Sequence, residues 1–158
     1  MEYFFAAATA VLGCLLIYYT NRNLLKNLYA SIAALTHTSN ELYNLRIEDL
    51  TTLLKIVPSD SVRENLDLLL SANDVNSRNA AESVHKNLLP DYIQACKAEI
   101  PESSDERKLL LRLPEINNQL DKCRTSCNSL VMLYNKRLKS PVARYAAKQL
   151  KLSSFEII

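Results

Sequence analysis

The stretch MEYFFAAATAVLGCLLIYYTNRNLLK, residues 1–26, decides how the rest of the sequence is interpreted. Residues 3–19 carry no charge and no proline, and Gly13 is the one glycine of the chain. As a helix this segment would span roughly 25 Å, against about 30 Å for the hydrocarbon core of a bilayer. Tyr3 and Tyr18 stand near its two ends, where tyrosine rings prefer the headgroup level. The pattern is typical of a short transmembrane helix.

Three fates are open to this segment: a cleaved signal peptide, a buried core helix, or a permanent membrane anchor. A signal peptide has a basic start and small residues before its cleavage site. Here the acidic Glu2 precedes the apolar run, and the sequence at its end, YYTNRNLLK, is a poor cleavage site. A segment that is apolar on every face is rarely hidden in a small bundle. The sequence therefore predicts an uncleaved signal anchor over residues 1–23.

The flanking charges predict the orientation of this anchor. Arg22 and Lys26 follow the apolar run, whereas Glu2 and the terminal amine precede it. Because cationic loops stay on the cytoplasmic side, the C-terminal part is expected in the cytoplasm. Small residues are spaced four apart within the segment. This spacing allows two helices to approach closely, so it is compatible with a homo-oligomer.

Composition predicts an all-α chain. A single glycine in 158 residues argues against β-hairpins and against glycine-rich phosphate loops. The formal net charge is +2, with 23% charged residues, so no general affinity for nucleic acid is expected. The sequence contains no motif of a nucleotide-binding, metalloprotease or dinucleotide site, and it predicts neither an enzyme nor a cofactor.

Apolar residues at helical spacing predict two helices in the first half of the chain after the anchor. Residues 24–57 contain no glycine or proline, and Pro58 is expected to end this long helix. Ser59 or Asp60 can cap the second helix. Its predicted buried face is Val62, Leu66, Leu69 and Leu70.

Two further helices are predicted in the second half. The third runs from about Ser77 to Pro101, and the fourth begins near Ser104. The predicted buried face of the third is Ala81, Val84, Leu88, Tyr92 and Ala95. That of the fourth is Leu113, Ile116, Leu120, Cys123, Cys127, Leu130, Tyr134 and Leu138. Short links between four helices predict an antiparallel up-and-down four-helix bundle over residues 24–140.

The cysteines permit a second interpretation of the chain. Cys123 and Cys127 lie one helical turn apart, and with Cys96 they define an alternative thiol- or metal-dependent protein. Cys123 and Cys127 also fall where the apolar face of the fourth helix needs small hydrophobic residues, so core packing is the favoured interpretation of both. Reduced thiols are expected in a cytoplasmic domain. His37 and His85 have no nearby nucleophile, and a surface or capping role is predicted for them.

The C-terminal segment, residues 141–158, is basic. The cations of this end of the chain are Lys136, Arg137, Lys139, Arg144, Lys148 and Lys151, and no acid follows Asp121 until Glu156. A short helix is predicted from Pro141, with Val142, Tyr145, Ala146 and Leu150 on one face. Two hypotheses remain open: a solvated cap on the bundle, or a surface that contacts anionic lipid through Lys139, Arg144, Lys148 and Lys151.

The segment NQLDKCRTSCNSLVMLYNKRL, residues 118–138, resembles the signature helix of the bacterial LemA family. The matching positions are Asn118, Leu120, Arg124, Asn128, Val131, Tyr134, Asn135, Arg137 and Leu138, followed by Pro141. The segment RIEDLTTLLKIV, residues 46–57, resembles a second family segment through Arg46, Asp49, Leu50 and Leu54. The Phe155-Glu156 pair is similar to the family's C-terminal end. Cys127 and Thr52 depart from the residues that are common there.

This resemblance implies a membrane-attached helical bundle of the bacterial inner membrane with no established biochemical activity. It implies no catalytic residues, and a structural role is the favoured interpretation of the matching polar residues. The expected partners are the lipid bilayer and an unidentified protein, with a scaffolding or interaction role and no nucleic acid.

Overall fold

The computed structural model describes residues 2–72 and 74–155, and this part of the chain folds into five α-helices without a strand. The helices are α1 Glu2–Ile56, α2 Asp60–Ser71, α3 Val75–Glu99, α4 Glu106–Arg137 and α5 Pro141–Gln149. The all-α prediction and the long apolar N-terminal helix are confirmed. Glu156, part of the predicted C-terminal pair, lies outside the described residues.

Helix α1 is a single helix of 55 residues that includes the whole apolar segment. It ends at Ile56, two residues before Pro58, because a proline disfavours the helical conformation of the residue that precedes it. Two other prolines, Pro90 in α3 and Pro114 in α4, lie inside helices. Asp74 is the N-cap of helix α3, and its carboxylate accepts a hydrogen bond of 2.9 Å from the Ser77 amide.

The chain divides into two compact units. Unit 1 contains residues 1–38 and 123–158, and unit 2 contains residues 39–122. Helices α1 and α4 each contribute to both units. The units group the residues differently from the predicted segments 1–23, 24–140 and 141–158, which remain a prediction about the roles of those segments.

Unit 2 has its own hydrophobic core, built from α1, α2, α3 and the first half of α4. Its buried residues are Leu50, Leu53, Leu54, Val57, Val62, Leu66, Leu89, Tyr92, Ile93, Cys96, Ile100, Leu110 and Leu113. The predicted faces are correct in most places, but Leu70, Val84 and Ala95 are exposed. In α3 the buried face instead includes Glu82 and His85, which are polar.

Unit 1 has a second core between α1, the last part of α4 and α5. Its buried residues are Leu25, Leu28, Ile32, Cys127, Val131, Tyr134, Ala143, Ala146 and Ala147. The predicted start of α5 at Pro141 is confirmed. Its predicted face is correct in part: Ala146 is buried and Leu150 half-buried, but Val142 and Tyr145 are exposed, and Ala143 and Ala147 are buried instead.

Candidate functional site

The apolar segment of α1 is exposed along its length. Tyr3 is 92% exposed, and the side chains from there to Ile17 are exposed apart from the half-buried Gly13. The interpretation of this segment as a buried core helix is therefore wrong. Within the described part of the chain, α1 is the one helix that has the length and composition to cross a membrane.

Helix α5 packs beside the end of the apolar segment. The rings of Tyr18 and Tyr145 are 6.0 Å apart between centroids. The small residues of α5 join Leu25 in the core of unit 1, which lets the helix approach α1 closely. This packing brings the basic C-terminal segment to the same end of the apolar segment as Arg22 and Lys26.

Tyr134 and Asn135 of α4 hold the chain that follows α5. The buried Tyr134 hydroxyl donates a hydrogen bond of 2.9 Å to the Ser153 carbonyl. The Asn135 side-chain amide donates one of 2.9 Å to the Phe155 carbonyl. The Phe155 ring lies 4.9 Å from that of Tyr29 and 5.4 Å from that of Tyr134. Burial raises the pKa of Tyr134, so its hydroxyl stays protonated and able to donate.

Lys151 reverses the chain after α5. Its φ of 55° lies in the left-handed region, and the Leu152 amide donates to the Ala147 carbonyl at 3.0 Å. This is the hydrogen-bond pattern of a helix end in which the left-handed position is usually glycine. The turn sends residues 152–155 back toward α4.

The end of α4, helix α5 and the returning chain enclose an open cleft of about 560 Å³. Three cations line it: Lys139 from the end of α4, and Arg144 and Lys148 from α5. We call it the basic cleft. Leu138, Ala147 and Leu152 form its apolar part, and Asn135 and Ser154 complete the lining. Lys151 is exposed but does not line the cleft.

Charge is distributed unequally between the units. Unit 1 contains nine Lys and Arg residues and two acids, Glu2 and Glu156. Unit 2 contains ten Lys and Arg residues and 15 acids. The formal charges are therefore +7 and −5, which together give the +2 of the chain. The positive unit is the one that carries the apolar segment.

Unit 2 contains a buried ionic network around Arg46, which is only 2% exposed. Its guanidinium forms an ion pair with Glu82 of α3 through both carboxylate oxygens, one of them at 2.9 Å. It also donates to the side-chain oxygen of Asn117 of α4 at 3.2 Å. Asp49, one turn further along α1, pairs with Arg112 of α4, with Nε to Oδ2 at 2.8 Å.

His85 lies inside unit 2, so the predicted surface or capping role is wrong. Its Nδ1 is 3.1 Å from the side-chain oxygen of Asn65 on α2, and its Nε2 is buried without a hydrogen-bond partner. Burial, with the nearby Arg46 charge, lowers the pKa of His85 to about 4, and Glu82 opposes this. The signal in the sequence was its spacing of three from Glu82 on a helix that also carries Ala81 and Leu88.

The other residues on which the LemA resemblance was based occupy varied positions. Leu50 belongs to the core of unit 2, and Pro141 is the first residue of α5. Asn118 and Arg137 are exposed, while Arg124 and Asn128 are half-buried in unit 1. Arg46, Asp49, Tyr134 and Asn135 form the side-chain hydrogen bonds described above, and a structural role for the matching residues stays a prediction.

The three cysteines of the alternative interpretation are divided between the two units. Cys96 lies in the core of unit 2 and Cys127 in that of unit 1, where its sulfur is 3.9 Å from the Thr36 hydroxyl. Cys123 is half-buried. Burial raises the pKa of the Cys96 thiol, which disfavours the thiolate that metals bind. Residues 2–72 and 74–155 contain no group of three His, Cys, Asp or Glu side chains arranged to hold a metal.

Comparisons with protein-family models, curated proteins and solved structures find no match to this chain. Its function is therefore argued from the geometry and charge described above.

Proposed function

We propose that this chain is a single-pass, LemA-like protein of the bacterial inner membrane, with a non-catalytic scaffolding or interaction role. The observation that carries the proposal is the exposed apolar part of α1, which emerges from a unit of formal charge +7. Exposed apolar residues 3–17 would be unfavourable in water, whereas a bilayer covers them at no such cost.

The charge distribution supports a cytoplasmic position for the C-terminal part. Arg22 and Lys26 follow the apolar segment directly, and α5 adds Arg144 and Lys148 at the same end. Cations beside a span favour the cytoplasmic side, where the leaflet is anionic. A protein partner or a second copy in the cytoplasm could then contact the acidic unit 2.

Contacts within each unit support the antiparallel arrangement that the short links between the helices predict. In unit 1, Thr36 and Tyr29 of α1 face Cys127 and Tyr134 of α4, so the residue numbers run in opposite directions. In unit 2, α1 and α4 also run in opposite directions. Arg46 contacts Asn117, whereas Asp49, further along α1, contacts Arg112, which is earlier in α4. Tyr92 of α3 reaches Val57 of α1 at 3.0 Å, whereas Glu82 meets Arg46, so α1 and α3 run in the same direction.

The proposal is tested on the full chain expressed in a bacterium. We expect it to remain in the membrane pellet after alkaline carbonate extraction, and its intact mass to include residues 3–19. A reporter that works only in the cytoplasm should be active when it is fused after Ile158, whereas a reporter that works only in the periplasm should be inactive there. Release by carbonate, or a mature chain that begins after Tyr19, would contradict the anchor. Activity of a periplasm-dependent reporter at the same position would contradict the orientation.

A further inference from the structure

The basic cleft is formed by three parts of unit 1 that the fold holds together. Lys139 follows α4, Arg144 and Lys148 lie one helical turn apart on α5, and Ser154 lies on the returning chain. The returning chain is fixed by Tyr134 and Asn135, whose hydrogen bonds reach the carbonyls of residues 153 and 155. The shape of the cleft therefore depends on tertiary contacts of α4 and on the end of α5.

The three cations face a space without a counter-charge from the described chain. None of them forms an ion pair within residues 2–72 and 74–155. The sequence itself has no acid between Asp121 and Glu156. Neighbouring like charges repel one another, so the cleft is stabilised when an anion enters it. Lys and Arg side chains bind phosphate oxygens through charge-assisted hydrogen bonds.

The remaining lining favours a phosphate that is attached to an apolar group. Leu138 and Leu152 offer apolar surface beside the cations, and about 560 Å³ exceeds what a bare phosphate fills. The same helix α5 places Tyr145 against Tyr18, at the end of the apolar segment. A ligand in the cleft would thus lie at the depth of lipid headgroups.

We propose that the basic cleft is a binding site for the phosphate headgroup of an anionic phospholipid, with Lys139, Arg144 and Lys148 as its ligands. This inference rests on the proposed membrane anchor, because the bilayer brings the headgroup to the cleft. It differs from a general attraction of basic residues to a charged surface, since it assigns the binding to three of the six cations at this end of the chain.

The test uses the full chain purified in a neutral detergent and titrated with phosphatidylglycerol, with bound lipid counted by native mass spectrometry. The cleft variant is Lys139→Gln/Arg144→Gln/Lys148→Gln. Its matched control is Lys136→Gln/Arg137→Gln/Lys151→Gln, which removes the same charge from exposed positions of the same segment. We expect the cleft variant to bind the first lipid at least tenfold more weakly, and the control to bind within about twofold of the wild type.

Two further ligands identify the chemistry that the cleft selects. Phosphatidylcholine should bind at least tenfold more weakly than phosphatidylglycerol, and millimolar inorganic phosphate should leave the bound lipid in place. A charge-conserving variant, Lys139→Arg/Lys148→Arg, should retain binding, and a wild-type Tm of the glutamine cleft variant would exclude misfolding as the cause of the loss.

Equal losses in the cleft variant and the control would overturn the inference, because they would indicate unspecific attraction. Equal binding of phosphatidylcholine would overturn it as well, and displacement by inorganic phosphate would reassign the cleft to a free anion. None of these three results would affect the anchor, since the cleft variant keeps residues 3–19 and should still resist carbonate extraction. Failure of the anchor and failure of the cleft are therefore distinguishable.

Discussion

Arg46 shows how a charged residue can be part of a core. The guanidinium faces a carboxylate on α3 and an amide on α4, so most of its donors are satisfied inside unit 2, although its Nε has no partner. A buried ion pair gains little over apolar residues of similar size, but the loss of one partner leaves a charge in a medium that solvates it poorly. Arg46 and Glu82 therefore act as a pair that is sensitive to single substitutions.

Arg46→Met should destabilise the protein by about 3 kcal/mol, because it removes the cation that faces the Glu82 carboxylate. This corresponds to a Tm lower by roughly 5–10 °C, measured by far-ultraviolet circular dichroism of the full chain in detergent. The double variant Arg46→Met/Glu82→Gln should recover part of the loss.

Lys86→Met is the matched control on α3, since Lys86 and Asp121 form an ion pair whose side chains are about half exposed. Its expected cost is under about 1 kcal/mol, and equal effects of both single variants would contradict the prediction.

His85 should make the stability depend on pH between neutrality and pH 4. Its pKa is lowered to about 4 in the folded protein, against an ordinary value of 6.5. As the pH falls below 6.5, the unfolded chain takes up a proton that the folded chain does not, so the free energy of unfolding decreases. The stability is fully present above pH 6.5 and is lost progressively toward pH 4. From pH 7 to pH 5 this amounts to about 2 kcal/mol.

The variant His85→Asn retains a donor for Asn65 but cannot titrate, so its Tm should fall less than that of the wild type between pH 7 and pH 5. His37→Asn changes an exposed histidine of α1 and should keep the wild-type dependence. If His85→Asn and the wild type lost the same stability over this range, the assignment to His85 would be wrong.

At the scale of the helices, the sequence predicted best where burial and hydrophobicity coincide. The stripe of α4 was correct at Leu113, Ile116, Cys127 and Tyr134, all of which are buried. Helix α3 was harder to predict because Glu82 and His85 lie on its buried face. A hydropathy pattern does not reveal that a polar residue is buried when its hydrogen-bond partners come from other helices. Part of the face of α5 was missed because small alanines pack closely in unit 1, whereas the larger Val142 and Tyr145 are exposed.

Helix α4 is expected to control the C-terminal chain through Tyr134. The variant Tyr134→Phe removes the hydrogen bond to the Ser153 carbonyl, which is worth about 1 kcal/mol. The Leu152 amide, which bonds the Ala147 carbonyl, should then exchange its hydrogen about fivefold faster if the returning chain detaches as one piece. Tyr145→Phe is the control, since the Tyr145 side chain is exposed and its hydroxyl accepts a hydrogen bond from Gln149 of its own helix. Unchanged exchange in Tyr134→Phe, or equal acceleration in both variants, would show that this bond does not hold the chain.

For the molecule as a whole, composition predicted the helical class and the apolar segment predicted the long N-terminal helix. The division into two units could not be predicted, because α1 and α4 run through both and their sequences show no break at residues 38 and 123. The separation of charge follows the units and becomes visible only once residues 3–38 and 123–155 are known to pack together. A basic tail in the sequence is thus one part of a larger cationic unit.

Helix α1 has an exposed apolar segment followed by a part that is buried in the core of unit 1, and one leucine in each part tests this difference. Leu12 is 62% exposed in the apolar segment, whereas Leu25 is 1% exposed in the core of unit 1. Arginine at the centre of a membrane span opposes insertion by about 2.5–3.5 kcal/mol. Leu12→Arg should therefore move a large part of the protein into the carbonate-soluble fraction, while the Tm of the purified chain changes little. Leu25→Arg places a charge in a packed core, so it should lower the Tm strongly, and the folded fraction should still resist carbonate. A fall in Tm for Leu12→Arg equal to that of Leu25→Arg would mean that the apolar segment packs against the protein in solution, and the membrane would no longer be needed to cover it.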